Sequence, residues 1–223
     1  MIYILDDEAG AQSLYIRGEQ HKYLIKVRRH KEGDLLSFRS RENLKMLYSY
    51  KIESVEPRGA ELSLVTSELK EVKSVKELHI GWCIIDANSI EKVLPSLFEV
   101  GVSKITFIAC ERSQKNFKLD FKRFERIGEA SMQQCGRSSY VELESCKSVQ
   151  EFIKAYPETK VFDFCETTLQ ECSDITTVLI GCEGGFSPKE RELFASVQSF
   201  RLDTPMVLRS ESAALAVASK ILL

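Results

Sequence analysis

Three glycines that follow a hydrophobic run near residue 180 indicate a ligand site made largely of backbone. Residues 176–180 are apolar or β-branched and predict a buried strand. Gly181, Gly184 and Gly185 come directly after it and permit a turn that bulkier residues could not make. The Ser-Pro-Lys-Glu sequence at 187–190 then predicts a helix start with a capping box. A ligand could therefore approach bare backbone between the strand and the helix.

The glycine turn lacks two common signatures of phosphate binding. It has no Gly-Lys-Ser/Thr of a Walker A loop, and its spacing differs from the Gly-x-Gly-x-x-Gly of dinucleotide-binding folds. Glu183 also places a negative charge in the turn, which disfavours a phosphate cradle. A neutral or cationic small molecule held by backbone atoms fits better. S-adenosylmethionine qualifies, because its sulfonium is positive and its adenine edge can pair with backbone N–H and C=O groups.

The end of the chain forms a second unusual element, with the sequence LRSESAALAVASKILL. Ser210 predicts a helix N-cap, and Glu211 lies in the first turn, where the helix dipole favours it. Every residue from Ala213 to Ala218 is apolar, and a helix that is apolar all round is expected to be buried on all sides. A chain end is normally exposed. The pattern therefore predicts a terminal helix tucked into another segment or subunit, with a plain core helix as the alternative.

Composition narrows the class of protein. A chain of 223 residues can hold one large domain or two small ones. It contains no run of eighteen apolar residues and no signal-peptide pattern, so we expect a cytoplasmic protein without a membrane span. The seven cysteines include no C-x-x-C pair, and the three histidines have no ligand spacing. We predict buried free thiols and no metal site.

The net charge of −2 hides two basic stretches. Residues 15–51 contain ten Lys or Arg against four acidic residues, and residues 112–126 contain six against two. Basic surface of this kind suits contact with a phosphate backbone. A solvated face that is simply rich in lysine is the alternative.

The order of predicted elements changes near residue 70. We predict a compact, mostly β domain at 1–68, a charged linker at 69–77 and an α/β domain at 78–223. The first domain should contain strands at 35–38, 46–56 and 60–68, and the segment at 21–32 should include a helix or turn. The second domain alternates strands with helices, which indicates a parallel sheet covered on both faces. Its predicted elements are strands at 78–86, 104–110, 160–165, 177–181 and 199–203, and helices at 90–101, 121–135, 188–197 and the chain end.

Five segments in order resemble the bacterial 16S ribosomal RNA uracil N3-methyltransferases, a SPOUT-class family. IGCEGGFSPKE is similar to the family's I-G-P-E-G-G-F-S-x-x-E, and LRSESAALA is similar to its L-R-T-E-T-A. HKYLIKVRRHKEGD, FEVGVSKITFIACERS and EASMQQCGRS match three further family segments. The resemblance covers nearly the whole chain. Cys182 stands where the family usually has proline, and Thr204 and Met206 replace a glycine and an arginine.

This resemblance implies both architecture and activity. It implies a SPOUT-type trefoil-knotted parallel sheet with a smaller N-terminal PUA-like β domain, assembled as a homodimer. The implied reaction is methylation of N3 of a specific uridine in 16S ribosomal RNA of the small subunit, with S-adenosylmethionine as cofactor. The cofactor-binding residues implied are Phe164, Cys165, Ile180, Gly181, Glu183, Gly184, Gly185, Leu202, Asp203, Thr204, Val207, Leu208 and Arg209. The RNA-binding residues implied are His21, Lys22, Arg28, Arg29, Arg112 and Arg137.

Methylation of uracil N3 sets the chemical requirements of the site. The enzyme must position a nucleophile for in-line displacement, and the base must be unpaired or extruded. The N3 proton must leave through a general base or through cationic stabilisation of the uracil anion. Glu211 and Arg209 are the candidates for these catalytic roles. Alternatively, Glu211 only favours its helix N-terminus and Arg209 only binds phosphate.

Three other functions stay open at this point. A related knotted methyltransferase could act on a ribose oxygen or on transfer RNA. A non-catalytic RNA-binding factor for ribosome assembly would keep the basic surfaces without binding the cofactor. A cysteine hydrolase using Cys182 is the weakest candidate, because no motif places a histidine beside it.

Overall fold

The computed structural model describes residues 2–114, 118–171 and 174–223, so Lys115 of the second basic stretch and Cys172 lie outside the described residues. The chain forms two compact units, one of Met1–Lys73 with Met132–Ser139 and the other of Ser74–Ser131 with Tyr140–Leu223. The predicted division into a domain at 1–68, a linker at 69–77 and a domain at 78–223 stays a prediction.

The first unit is built on a five-stranded sheet in the order β1-β3-β4-β5-β2. Only β1 and β3 pair in parallel among these strands, and the other pairs are antiparallel. Buried side chains alternate with exposed ones along β2, so one face of the sheet covers the core of this unit. The predicted strands near 35, 46 and 60 are confirmed. The strands are β1 Ile4–Leu5, β2 Ser13–Arg17, β3 Leu35–Arg39, β4 Met46–Val55 and β5 Gly59–Leu69.

A short helical segment connects β2 to β3 in the first unit. It consists of the one-turn helix α1, Gly18–His21, followed by a π-helix at Lys22–Val27. Leu24 is the buried residue of the π-helix and packs into the core under the sheet. The sequence prediction of a helix or turn here is confirmed, although its π-helical winding was not predicted.

The second unit contains a six-stranded parallel sheet in the order β11-β9-β10-β6-β7-β8. This confirms the predicted parallel sheet. The strands are β6 His79–Cys83, β7 Lys104–Ile108, β8 Glu142–Cys146, β9 Lys160–Phe162, β10 Thr177–Ile180 and β11 Ser199–Phe200. The helices are α2 Ala87–Val100, α3 Phe121–Cys135, α4 Val149–Ala155, α5 Pro188–Glu192 and α6 Ser210–Leu222, with short 3-10 helices at Leu169–Glu171 and Leu193–Ser196.

Burial explains which of these elements the sequence predicted. Every residue of β6 and β10 is buried, and both strands have the continuous apolar character of a sheet covered on two faces. β8 lies at the edge of the sheet and has no buried residue, so its apolar pattern is weak and it was not predicted. Helix α4 follows this strand and was not predicted either, because its seven residues are too few to show a clear helical pattern. The predicted helix at 188–197 divides into α5 and a 3-10 helix.

Helix α6 begins differently from the prediction. Arg209 occupies the N-cap position with extended backbone and no side-chain cap, whereas Ser210 is the first helical residue. The predicted capping role of Ser210 is therefore wrong. Its Oγ instead accepts a hydrogen bond from Trp82 Nε1 at 2.9 Å and donates one to the carbonyl oxygen of Gly181 at 2.5 Å. Ser210 thus joins β6, the end of β10 and the start of α6 in the interior.

One face of α6 is buried and the other is partly exposed. The buried face includes Ala213, Ala214, Val217, Ala218 and Ile221, and it packs against α2 and β10. Leu215 and Ala216 on the other face are only half-buried. The expectation that this helix is buried on all sides is therefore wrong for the single chain. Small side chains allow close packing on the inner face only.

We expect Ser210→Ala to lower the free energy of unfolding by about 1–3 kcal/mol, because a buried indole N–H and a carbonyl both lose their partner. The matched control is Ser212→Ala, since Ser212 is exposed on the same helix. This control should change the free energy by less than about 0.5 kcal/mol. Urea denaturation followed by fluorescence of Trp82, the only tryptophan, measures both. Equal losses would contradict the assigned role of Ser210.

His79 makes folding dependent on pH. It is buried on β6, its Nε2 lies 2.6 Å from Oγ1 of Thr106, and its ring meets that of Tyr156 edge-on. Burial, with a further contribution from the positive charge of Lys104, lowers the pKa of His79 from 6.5 to about 4. The folded state therefore holds a neutral imidazole at pH values where the unfolded chain binds a proton.

The stabilisation from neutral His79 is complete above pH 6.5 and is lost as the pH falls towards 4. We expect wild type to lose up to about 3 kcal/mol more than His79→Gln over this range, because glutamine does not titrate. Urea denaturation at a series of pH values measures the difference. Parallel stability curves for the two proteins would show that His79 is not the group responsible.

Candidate functional site

The carboxyl ends of β9 and β10 border a cavity of about 330 Å³. This volume is within the range of about 300–1,000 Å³ that is usual for small-molecule sites, and sheet ends are a common location for them. Three segments of the second unit form the walls, at 162–164, 180–186 and 201–210, and Ala213 of α6 completes them. The cavity therefore lies where the sequence predicted a ligand against bare backbone.

The structure brings together ten of the thirteen residues predicted to bind the cofactor. The ten that line the cavity are Phe164, Ile180, Gly181, Glu183, Gly185, Leu202, Thr204, Val207, Leu208 and Arg209. Cys165, Gly184 and Asp203 do not line it. The carbonyl oxygen of Gly184 instead accepts a 2.6 Å hydrogen bond from Nη1 of Arg112. The carboxylate of Asp203 forms an ion pair with Arg201, with 3.7 Å between Oδ1 and Nη1.

The glycine turn is held in place by the start of α5. The predicted capping box is present: Glu190 N donates to Ser187 Oγ at 3.1 Å, and Ser187 N donates to Glu190 Oε2 at 2.9 Å. The other carboxylate oxygen of Glu190 accepts from the backbone N–H of Glu111 at 2.9 Å. Gly185 has a φ of 63°, a left-handed conformation that favours glycine. These bonds fix the backbone that faces the cavity.

Some of the charged side chains around the cavity have an ion-pair partner among the described residues, and others do not. Asp163 lines the cavity but forms a two-pronged ion pair with Arg191, at 2.9 and 3.0 Å. Glu183 is exposed at the turn, and Arg209 is exposed where α6 begins. Within the described residues, neither Glu183 nor Arg209 has an ion-pair partner. The cavity thus has one free carboxylate and one free guanidinium among its lining residues, besides the partnered charges of Asp163 and Arg201.

Eight further residues line the cavity that the sequence prediction did not include. Most of them lie between or beside predicted residues, so extending each predicted segment by two residues would have found them. Ala213 is the exception, because it faces the cavity from one turn inside α6. The eight are Phe162, Asp163, Cys182, Phe186, Arg201, Met206, Ser210 and Ala213.

Cys182 is a buried thiol rather than an activated nucleophile. Its Sγ lies 3.5 Å from Sγ of Cys110 and 3.6 Å from the carbonyl oxygen of Gly185. The hydrogen bond with Cys110 and burial raise the pKa of Cys182 well above its usual range, so the thiol stays protonated. No histidine lines the cavity in the part of the chain that the structure describes. The arrangement does not suit a cysteine hydrolase, which needs a thiolate and a base.

The predicted catalytic residues occupy different positions. Arg209 lines the cavity, whereas Glu211 is half-buried in the first turn of α6 and does not line it. Of the two predicted catalytic residues, only Arg209 therefore lies at the cavity.

The predicted RNA-binding residues divide by exposure. Lys22, Arg28, Arg29 and Arg112 are exposed. His21 and Arg137 are only 4% and 7% exposed. Nε of Arg137 donates to the carbonyl oxygen of Ser139 at 2.9 Å. Burial leaves the side chains of His21 and Arg137 unavailable for direct contact with RNA in this structure.

In the ranges that the structure describes, no helix is long and apolar enough to cross a membrane. The same ranges contain no group of three or more His, Cys, Asp or Glu residues that could hold a metal ion.

Comparison with known proteins gives full-length sequence relatives. The family model of the RNA methyltransferase domain matches residues 72–222. The ribosomal RNA small subunit methyltransferase E of Helicobacter pylori strain 26695 is 41% identical over 225 residues, which cover 98% of each chain. The protein of the same description from Helicobacter pylori strain J99 is 38% identical with the same coverage.

Solved structures show the same fold. A Legionella pneumophila protein solved in complex with the cofactor S-adenosylmethionine has a TM-score of 0.79 at 24% identity, covering 99% of this chain and 95% of that one. The ribosomal RNA small subunit methyltransferase E of Neisseria gonorrhoeae, bound to S-adenosyl methionine, has a TM-score of 0.78 at 18% identity, covering 99% and 96%. The predicted α/β fold, with a parallel sheet and a smaller β-rich part, is confirmed, whereas the SPOUT-type trefoil knot and the PUA-like character of the smaller part stay predictions.

With a family match over most of its length and full-length relatives at up to 41% identity, the chain belongs to the RNA methyltransferase family.

Proposed function

We propose that this protein transfers a methyl group from S-adenosylmethionine to N3 of a specific uridine in 16S ribosomal RNA of the small ribosomal subunit. The observation that carries the proposal is the cavity at the ends of β9 and β10, where the glycine turn faces the segment that leads into α6. Family membership and the names of the Helicobacter relatives support an RNA substrate from the small subunit.

The residues of this cavity fit S-adenosylmethionine. A Cβ on Gly181 would lie 3.3 Å from the Phe186 ring and 3.4 Å from Gly185 Cα, so glycine leaves this part of the backbone closely packed but uncovered by a side chain. The apolar side chains of Leu202 and Leu208 suit an adenine ring, and the exposed carboxylate of Glu183 suits a cationic ligand. When bound, the cofactor supplies an electrophilic methyl group on a positively charged sulfur.

Arg209 is the residue best placed to favour loss of the N3 proton. It lines the cavity, it is exposed, and it has no ion-pair partner among the described residues. A guanidinium stays charged at physiological pH, so it stabilises the uracil anion rather than accepting its proton. The proton then passes to water. Glu211 lies outside the cavity lining, and we assign it to the first turn of α6, where its charge complements the helix dipole.

We also propose that the protein acts as a homodimer in the cytoplasm, where ribosomal particles are assembled. A depression of about 1,230 Å³ runs beside the partly exposed face of α6. Leu169, Ile175, Ala216 and Leu223 contribute apolar surface to it. Segment 202–208 contributes residues to this depression and to the cavity, so a second copy seated there would also support one wall of the cofactor site.

Removal of the gene should abolish one N3-methyluridine in 16S ribosomal RNA, because this nucleoside is the product of the proposed reaction. Mass spectrometry of nuclease digests identifies the nucleoside, and reverse-transcription stops locate it, since a methyl on N3 blocks base pairing. Expression of the wild-type protein should restore the modification. An unchanged uridine methylation pattern, or loss of a ribose methyl group instead, would refute the assignment.

We expect Arg209→Ala to lower the single-turnover rate at saturating cofactor by about 100-fold or more, as removal of a charge-stabilising donor does elsewhere. Arg209→Lys should retain part of the rate, because it keeps the charge but loses the planar fork. Cofactor affinity, measured by calorimetry, should change less than tenfold in both.

The control variant is Glu211→Gln, which should stay within about threefold of the wild-type rate because the carboxylate does not line the cavity. A larger loss in Glu211→Gln than in Arg209→Ala would reverse the assignment of the two roles.

A further inference from the structure

Three cysteines of the second unit come together where neighbouring strands of the parallel sheet end. Cys83 is the last residue of β6, and Cys110 and Cys182 follow the two strands that flank it, β7 and β10. The Sγ atoms of Cys110 and Cys182 are 3.5 Å apart, although the two residues are separated by 72 positions in the sequence. The fold therefore places two free thiols in contact beside the proposed cofactor cavity.

The two sulfurs in contact are close enough to be joined by a small movement of the backbone. A disulfide bond is about 2.05 Å long, so the sulfurs must approach each other by roughly 1.5 Å. Cys110 and Cys182 both lie beyond the last paired residues of their strands, so they can shift without breaking the sheet. Cys83, by contrast, is paired within the sheet and fully buried. The geometry therefore favours a bond between Cys110 and Cys182.

The two thiols differ in reactivity. Hydrogen bonds from the thiols of Cys182 and Cys83 lower the pKa of Cys110, which favours its thiolate, while the pKa of Cys182 is raised. The hydroxyl of Ser113 lies 3.1 Å from Sγ of Cys110 and also stabilises the thiolate. Cys110 is 7% exposed and lies between two exposed residues in the sequence, so a small oxidant can reach it. A thiolate beside a second thiol is the arrangement found in redox-sensitive cysteines.

Cys182 connects this pair to the wall of the cofactor cavity. It lines the cavity itself, and its carbonyl oxygen accepts a 2.9 Å hydrogen bond from the backbone N–H of Gly185. The preceding residue, Gly181, accepts the hydrogen bond of Ser210 that specifies where α6 starts. Movement of Cys182 towards Cys110 would pull on both glycines, which also line the cavity. The thiol pair and the cofactor thus depend on the same stretch of backbone.

We propose that a hydroperoxide oxidises Cys110 and Cys182 to a disulfide, and that this bond lowers the affinity of the site for S-adenosylmethionine. The effect on affinity rests on the proposed function, which places the cofactor in this cavity. The Cys110 thiolate attacks one peroxide oxygen, the O–O bond breaks, and hydroxide leaves a sulfenic acid behind. The Cys182 sulfur then attacks the sulfenic sulfur, the S–O bond breaks, and the leaving hydroxide takes the Cys182 proton as water. Two electrons pass from the thiols to the peroxide, and a dithiol reverses the reaction.

The first test maps the disulfide in the full-length protein after treatment with hydrogen peroxide, without cofactor. Remaining thiols are blocked with N-ethylmaleimide, and the protein is cut with trypsin and with an endoproteinase that cleaves before aspartate. Cys110 then lies in peptide 105–112 and Cys182 in peptide 174–189, each without a second cysteine. Mass spectrometry should find these two peptides linked. A link between Cys110 and Cys83, or a sulfinic acid at Cys110 without any link, would overturn the proposal.

The second test measures affinity for S-adenosylmethionine by calorimetry before and after oxidation. Peroxide should weaken binding by the wild-type protein about 5- to 150-fold, the usual range for coupling between two sites, and dithiothreitol should restore it. Cys110→Ser and Cys110→Ala should keep their affinity through the treatment, because neither can form the disulfide. The matched control is Cys135→Ser, which removes an exposed thiol and should respond as wild type does. An equal loss of affinity in the Cys110 variants would overturn the proposal.

Thermodynamic linkage provides a third measurement that does not depend on methyl transfer. If the disulfide weakens cofactor binding tenfold, saturating cofactor must disfavour the disulfide tenfold. The reduction potential of the pair should then rise by about 30 mV, as measured by alkylation in thiol–disulfide buffers with and without cofactor. An unchanged potential would overturn the coupling. Failure of the reduced wild-type protein to bind the cofactor would instead contradict the proposed function, and the peptide map still tests the disulfide in that case.

Discussion

The buried hydrogen bonds of Ser210 determine the geometry of the proposed cofactor site. They connect Trp82 on β6 and Gly181 at the end of β10 to the first residue of α6. Because Ser210 is only 5% exposed, the three groups have little access to water, and their bonds specify where α6 starts. The segment before α6 must then return past the glycine turn. The two walls of the cavity face each other for this reason.

Independent contacts hold the opposite wall. The capping box of α5 fixes the turn from one side, and Glu190 also binds the backbone of Glu111 after β7. On the inner face of α6, alanines such as Ala214 and Ala218 allow close packing against α2 and β10. The cavity is therefore formed by backbone that is positioned before any ligand binds. Preorganisation of this kind lowers the ordering cost of binding.

Local sequence signals predicted what local interactions determine. The glycine turn, the capping box and the alternation of strands and helices depend on neighbouring residues, and all three were predicted. The sequence around Ser210 suggests only a helix cap, because its actual partner, Trp82, lies 128 residues away in sequence and cannot be recognised from local signals. The burial of His21 and Arg137 was missed for the same reason, since a charge is visible in the sequence whereas burial depends on tertiary packing. Strand β8 has no buried residue, so its sequence lacks the apolar pattern from which a strand is predicted.

Two residues with the same backbone conformation differ in what that conformation costs. Gly185 and Arg29 have φ values of 63° and 62°. At the cofactor cavity the left-handed residue is glycine, which keeps the backbone open to a ligand. At the π-helix it is an arginine, so the chain bears strain while keeping a long cationic side chain. The proposed cofactor site thus presents chiefly backbone and shape to its ligand, and its left-handed residue is one that adopts this conformation without strain.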